Sequence, residues 1–292
     1  MPGAWTPVEL LGLARSIALE AGELALAARA AGRGALEAGI RHKSSRTDLA
    51  TEADRANEDL IRRRLAEARP DDAVLGEEGG GRPGTSGLVW IVDPIDGTTN
   101  FVYEFGSFAV SIAVAEELRE GEDSGSVWPA ALGELLGTGR ILAGVVHDPA
   151  RGETFCAALG TGAAVEDTPL AVAPGPLPLD EALIGTGFSY DAGRRRGQAS
   201  LLQTVLPGVR DLRRGGVASL DLCYVAAGRL DGYYEAEVNA WDVAAGMLIA
   251  AEAGARCTAL AGLAPGGPTA IACRPAIAEP LEELLRRAAA HS

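Results

Sequence analysis

Apolar residues recur at helical spacing between residues 8 and 31, with Leu10, Leu13, Ala14, Ile17, Ala18, Ala21 and Leu24 in register. This pattern predicts a long amphipathic helix, broken by Gly32, Gly34 and Gly39. Residues 40–50 are polar and read as a loop. A second helix is predicted over residues 52–68, stopping before Pro70. Residues 73–76 form a short apolar strand that runs into Glu77, Glu78 and three glycines, an acidic loop at a strand end. Residues 88–92 are a continuous apolar run, the pattern of a buried strand, and it stops at two carboxylates, Asp93 and Asp96. Residues 107–115 alternate well enough for another strand. Residues 116–140 are polar and Gly-rich despite Trp128 and Leu135-Leu136, and read as a solvated surface insertion at 117–139. Strands follow at 141–146, 153–158, 183–186, 209–213, 230–235 and 270–273, and helices at 198–205, 217–227, 241–252 and 276–290. Helices and sheets alternate without a strict βαβ rhythm, which predicts stacked layers rather than a doubly wound sheet.

Composition narrows the function. Hydrophobic residues are 47% of the 292, enough for a core, and no apolar stretch is long enough to span a bilayer. The start lacks a basic, then apolar, secretory leader, so a cytoplasmic protein is expected. Cys156, Cys223, Cys257 and Cys273 are scattered and read as reduced thiols, not as a zinc site. His42, His147 and His291 are too few and too dispersed for a histidine metal site or a Ser-His-Asp triad. A net charge of −14 argues against nucleic acid as a partner. It also sets a problem for any phosphate substrate, which bound cations would solve locally. Lys43 is the only lysine among 26 basic residues.

The candidate chemistry centres on Asp93-Pro94-Ile95-Asp96-Gly97-Thr98-Thr99-Asn100. Pro94 fixes φ and cannot extend a sheet ladder, so the two carboxylates are held on a stiff turn. Gly97 and the threonines add small side chains and free N–H groups. Carboxylates beside amide donors make a place where a divalent cation and a phosphate meet. Asp54, Glu77-Glu78 and Asp242 supply further acids at element edges. Oxygen ligands without His or Cys suit Mg²⁺. Each acid also has a plainer reading: Asp93 and Asp96 as turn formers, Asp242 as an acid in a helix's first turn, Glu235 as a surface acid at a strand end. Thr51-x-x-Asp54 has the spacing of a capping box.

The string from Trp90 to Asn100 resembles the signature of the inositol monophosphatase family, the lithium-sensitive, magnesium-dependent phosphatases. Lys43-Ser44-Ser45, the block from Asp48 to Asp54, Gly76-Glu77-Glu78, the block from Gly228 to Glu235 and the block from Trp241 to Gly246 match further family segments in the family's order. The matches run from Lys43 to Gly254 and are most similar to the bacterial inositol-1-monophosphatases. The resemblance implies a layered αβαβα sandwich, a single phosphatase domain over residues 1–292 with two lobes divided near residue 150, and a homodimer.

It also implies a site. Glu77, Asp93 and the Ile95 carbonyl would hold one Mg²⁺, and Asp93, Asp96 and Asp242 a second, about 3.5–4 Å away as in other two-metal sites. A third, weaker ion would sit on Glu77 and water. The N–H groups of Gly97 and Thr98 would orient the phosphate. Thr98 paired with Asp54 would activate water for direct attack, without a phosphoenzyme. Asp96, Gly216, Val217, Ala218 and Glu235 would contact the alcohol, and Lys43 would stand close to the metals. Arg213 and Arg214 read as phosphate attractors or as subunit-interface residues. Val217 stands where inositol phosphatases commonly carry Thr or Ser. The expected reaction is Mg²⁺-dependent hydrolysis of a phosphorylated polyol or sugar, inositol 1-phosphate first, with no membrane partner. The alternatives are histidinol-phosphate or fructose-1,6-bisphosphate hydrolysis on the same framework, or a non-catalytic regulator that keeps the fold and binds a partner protein.

Overall fold

The computed structural model describes residues 5–42, 49–116, 139–264 and 267–290. Lys43 and nearly all of the 117–139 insertion lie outside the described residues. The first helix, α1 (Pro7–Ala30), starts at a Thr6–Glu9 capping box with Pro7 in its first turn. The glycine-rich stretch after it is not all loop: α2 (Arg33–Ala38) forms there, followed by a two-residue ribbon of β1 (Arg41–His42) and β2 (Leu49–Ala50). The helix α3 (Glu52–Ala68) has the predicted bounds.

The strands β3 (Ala73–Gly76), β4 (Gly80–Arg82) and β5 (Leu88–Asp96) lead into the short helix α4 (Thr98–Val102). Then come β6 (Ala109–Glu116), β7 (Ile141–Asp148), β8 (Glu153–Ala158), β9 (Ala163–Val165) and β10 (Thr168–Leu170). These build an eight-stranded sheet in the order β10-β9-β8-β7-β6-β5-β3-β4. Among the described residues only β3 and β5 pair in parallel within it. The second half contributes β11 (Leu183–Thr186), α5 (Ala192–Val205), β12 (Asp211–Arg213), α6 (Ala218–Ala226), β13 (Gly232–Ala236), α7 (Ala240–Glu252), β14 (Arg256–Ala264), β15 (Gly267–Cys273) and α8 (Ala278–Ala289). Its sheet has five strands, ordered β12-β11-β13-β15-β14.

Side-chain alternation along the strands separates the cores. On β5, Trp90 and Val92 face α1 and α3 with Ile17, Ile61 and Leu65, while Val89 and Ile91 face the other way. On β6, Val110, Ile112 and Val114 join the first core, and Ala109, Ala113 and Ala115 the second. That second core is the middle layer, where α6 and α7 lie between the two sheets. Helix α7 is buried from Val243 to Ala250, which is why it has no polar face. A third core, including Val205, Leu281, Leu285 and Ile271, joins α5 and α8 to the outside of the five-stranded sheet. The result is the layered αβαβα arrangement expected from the sequence.

The structure corrects several boundaries. Strand β5 does not stop at Val92. It continues through Pro94 to Asp96, with a bulge: Asp93 pairs with Ser111 and Asp96 with Ala109, so one strand carries an extra residue. Helix α5 begins at Ala192, not 198, because Asp191 caps it by accepting the Arg194 N–H and so overrides Gly193 and Gly197. The strands β4, β9, β10 and β14 were not expected. Their sequences are short or rich in Ala and Gly, and pairing, not propensity, makes them strands. The four cysteines form no disulfide.

Candidate active site

The bulge in β5 is the geometric origin of the site. Proline has no N–H to give the ladder, and the extra residue turns Asp93 and Asp96 toward one side of the sheet edge. Asp93 is buried, and its Oδ1 accepts the Ile95 N–H at 3.0 Å. Asp96 is buried, and its Oδ2 accepts the Ser219 N–H, in the first turn of α6, at 2.8 Å. Gly97 then takes φ 87°, which starts α4 at Thr98. A Cβ there would stand 2.7 Å from Val217 Cγ2 and 3.1 Å from the Gly216 carbonyl oxygen, so glycine is required twice over.

Glu77 arrives from the end of β3, one strand away. Its turn is held by a residue the sequence reading did not single out, Glu58 on α3. The Glu58 carboxylate is buried and accepts the N–H groups of Glu78 at 2.7 Å and Gly79 at 2.8 Å, and it pairs with Arg62 at 2.7 Å. The only sequence signal was an acid on the buried side of an otherwise ordinary amphipathic helix.

Asp54 stands one helical turn before Glu58, and its two oxygens face different partners. Its Oδ2 closes the capping box, accepting the Thr51 N–H at 2.7 Å and the Thr51 hydroxyl at 2.5 Å. Its Oδ1 lies 3.1 Å from the Thr98 hydroxyl. That hydroxyl is also 3.2 Å from the Ile95 carbonyl oxygen, and with a single proton it donates to one of them at a time. Burial drives the Asp54 carboxyl up to about 6, against the hydrogen bonds from Thr51.

Asp242 repeats this arrangement on α7: it is the third residue of the helix, and its Oδ2 accepts the Asn239 N–H at 2.6 Å in another capping box. Burial, then the charges of Asp96 and Glu77, hold its carboxyl well above the ordinary value. Burial likewise pushes Asp96 up to about 6, with Glu77 adding to it. The helices α3, α6 and α7 all begin here, so their positive ends face the same space in a chain of net charge −14.

These residues line one cleft of about 570 Å³: Glu77, Asp93, Ile95, Asp96, Gly97, Thr98, Gly216, Ala218, Glu235, Trp241 and Asp242 are on its wall. Asp54 and Val217 support that wall, through Thr98 and through Gly97 respectively. Val217 opens α6 with no side-chain cap, as an apolar residue must. Glu235 is not a surface acid. It accepts the Tyr233 hydroxyl at 2.7 Å and fills the space where a Cβ on Gly187 would sit, and burial raises its carboxyl to about 7. Arg214 lines the cleft, whereas Arg213 is exposed and pairs with Asp211.

Sequence reasoning missed Asp221, Arg194 and Glu237. Asp221 is buried in α6, with burial holding its carboxyl well above the ordinary value. It was legible as the one acid in an apolar helix. Arg194 and Glu237 line the cleft mouth as a 2.7 Å ion pair, and nothing in their local sequence announced it.

The donor set is all oxygen: four carboxylates and a peptide carbonyl, without imidazole or thiolate. It fits hard divalent cations that also bind phosphate oxygens. Among the described residues no three of the acids converge on one cation position. Asp93, Asp96 and Asp242 each turn an oxygen onto a backbone amide, as mutually repelling carboxylates do.

The profile of the inositol monophosphatase family matches residues 7–292. The chain is 43% identical to the inositol-1-monophosphatase SuhB of Mycobacterium tuberculosis, over 96% of this chain and 94% of that protein. It is 39% identical to the Nus factor SuhB of Pasteurella multocida, over 72% of this chain and 71% of that protein. The solved structure of Mycobacterium tuberculosis SuhB superposes with a TM-score of 0.75 at 39% identity, covering 97% and 98% of the two chains. That of an inositol monophosphatase from Anabaena gives 0.75 at 28% identity, covering 95% of each.

Proposed function

We propose that this chain, which belongs to the inositol monophosphatase family, hydrolyses the phosphate monoester of a polyol, with inositol 1-phosphate as its best substrate. Membership alone supports a phosphatase acting on a phosphorylated substrate in a generally metal-dependent family. The observation that carries the finer reading is one cleft that gathers Glu77, Asp93, Asp96 and Asp242 beside a Thr98 hydroxyl within reach of Asp54.

In this reading Glu77, Asp93 and the Ile95 carbonyl would hold one Mg²⁺, Asp93, Asp96 and Asp242 would hold a second, and Glu77 would support a weaker third. When bound, the ions neutralise phosphate charge, make water more acidic and stabilise the leaving oxygen. The chain's own groups do the rest. The N–H groups of Gly97 and Thr98 orient the phosphate. The Thr98 hydroxyl takes a proton from water while passing its own to Asp54 Oδ1. Asp54 suits that role because Thr51 occupies only Oδ2 and because burial brings its carboxyl near neutrality. Asp96 and Glu235 accept hydroxyls of the alcohol, with Gly216, Val217 and Ala218 shaping its bed. The same resemblance supports a cytoplasmic homodimer.

The test is phosphate release from inositol 1-phosphate, histidinol phosphate and fructose 1,6-bisphosphate, with Mg²⁺, with excess chelator and with Li⁺. The expected result is hydrolysis only with Mg²⁺, fastest per kcat/KM on inositol 1-phosphate, and inhibited by Li⁺. Full activity in excess chelator overturns the metal assignment. A higher kcat/KM on either of the other esters overturns the substrate. A second reading has one observation behind it, the relatives named Nus factor: a protein-binding role alongside the enzyme. Its test is whether a variant without turnover still complements loss of the gene.

A further inference from the structure

The cleft mouth holds a feature that the phosphatase chemistry leaves unused. Glu237 follows β13 by one residue and has φ 66°, the left-handed region that a residue with a side chain rarely occupies. Its side chain is 7% exposed and lines the cleft together with Glu235, two residues earlier. One carboxylate oxygen, Oε2, accepts from Arg194 on α5 at 2.7 Å. The other, Oε1, is buried and has no hydrogen-bond partner among the described residues.

A buried carboxylate oxygen without a donor is costly. Arg194 does not remove that cost; it fixes the carboxylate by its other oxygen. Asp191 caps the first turn of α5 and so sets the position from which Arg194 reaches across. Backbone strain, burial and an unsatisfied acceptor therefore coincide on one side chain at a cleft wall, the combination expected of a group held ready for a ligand. What Oε1 lacks is a hydrogen-bond donor. On the wall beyond the phosphate end, beside Glu235, the donor that fits is a hydroxyl of the leaving alcohol.

We infer that Glu237 is a specificity-determining residue, its Oε1 accepting a hydroxyl of the substrate's polyol part while Arg194 holds it in place. This rests on the phosphatase reading above. It predicts that the cleft discriminates between hydroxyl-bearing and bare phosphate esters through two acids, Glu235 and Glu237, and not through Glu235 alone.

The experiment compares inositol 1-phosphate with phenyl phosphate, which offers no hydroxyl, in the full chain and in Glu237→Gly, Glu237→Gln and Arg194→Ala, with melting temperatures measured in parallel. Glycine relieves the positive φ, so Glu237→Gly is expected to melt no lower than the parent. Its ratio of kcat/KM for inositol 1-phosphate over phenyl phosphate is expected to fall about tenfold to a hundredfold, mostly through KM. Glutamine keeps an acceptor but not the charge, and is expected to lose less of that ratio. Arg194→Ala frees the carboxylate that the ion pair fixes, and is expected to melt lower and to lose part of the ratio, less than Glu237→Gly does. If Glu237 only anchors α5 through Arg194, then Arg194→Ala and Glu237→Gly will lower both substrates alike, and the inference is wrong. An unchanged ratio in Glu237→Gly also overturns it. A parent protein that hydrolyses neither ester with Mg²⁺ overturns instead the phosphatase reading, and this inference with it.

Discussion

Asp54 shows how one side chain serves folding and chemistry with different atoms. Oδ2 belongs to the helix start and Oδ1 to Thr98. Asparagine at this position would keep its oxygen on the Thr51 donors and turn its NH₂ group toward Thr98, reversing the polarity of that contact. Asp54→Asn is therefore expected to lose about 1 kcal/mol of stability or less, while turnover falls on the order of 10²–10⁴ as a general base is removed. Thermal melting and turnover per folded protein check it. Near-normal turnover with a large drop in melting temperature would make Asp54 purely structural.

Asp72 is the contrasting case, remote from catalysis. Burial pushes its carboxyl up, but hydrogen bonds from Arg69, Ser86 and Trp90 outweigh this and hold it below the ordinary aspartate value of 3.8. A carboxyl with a lowered folded-state pKa stabilises the fold above its unfolded-state pKa, and that contribution is lost as pH falls through the folded-state value. Asp72→Asn should thus cost about 1–3 kcal/mol at pH 7, and the gap to the parent should narrow as pH drops from 5 toward 3. Denaturant titrations across that range measure it. A gap that widens on acidification would contradict the sign.

At the scale of elements, the site depends on how closely α6 and α7 approach. Gly246 on α7 is the contact point: a Cβ there would sit 2.7 Å from Leu222 Cβ and 3.0 Å from the Ser219 carbonyl oxygen. Gly→Ala in a helix normally gains about 1 kcal/mol. Here overpacking against a backbone atom costs about 1–3 kcal/mol and wins. Gly246→Ala is therefore expected to lower the melting temperature. It should also lower turnover, because the strained contact lies on Ser219, whose N–H holds Asp96. A variant more stable than its parent and fully active would mean that the two helices have slack.

At the scale of the whole molecule, the ends of the insertion meet. Glu116 N–H donates to the Arg140 carbonyl at 2.9 Å, Gly139 N–H to the Glu116 carbonyl at 3.0 Å, and the Glu116 and Arg140 side chains pair. These are the closing contacts of a hairpin. The β5–β6 register puts Asp96 beside Ala109, at the other end of β6 and about 20 Å away. Replacing residues 117–138 by Asn-Gly should leave a folded protein with turnover within about twofold, since a two-residue turn suits such strands. A folded but inactive product would show that the segment contributes to the site.

The local pattern along the chain already determined much of this protein. The bounds of α3 and the strands β3, β8 and β11 were readable, because periodicity and caps act over a few residues; that Glu77, Asp93, Asp96 and Asp242 belong together came from the family resemblance, and the four acids do line one cleft. Only the tertiary structure decided the rest. Pro94 reads as a strand terminator, yet pairing with β6 carries the strand past it as a bulge. The helix pattern was read only from residue 198, yet α5 starts at Ala192 and runs through Gly193 and Gly197. Glu58 looks like any helix acid until the turn after β3 folds onto it. Glu237 and Arg194 are 43 residues apart, and neither is informative alone. Burial, charge pairing and close approach are properties of residues brought together from distant parts of the chain. No window along the sequence contains them.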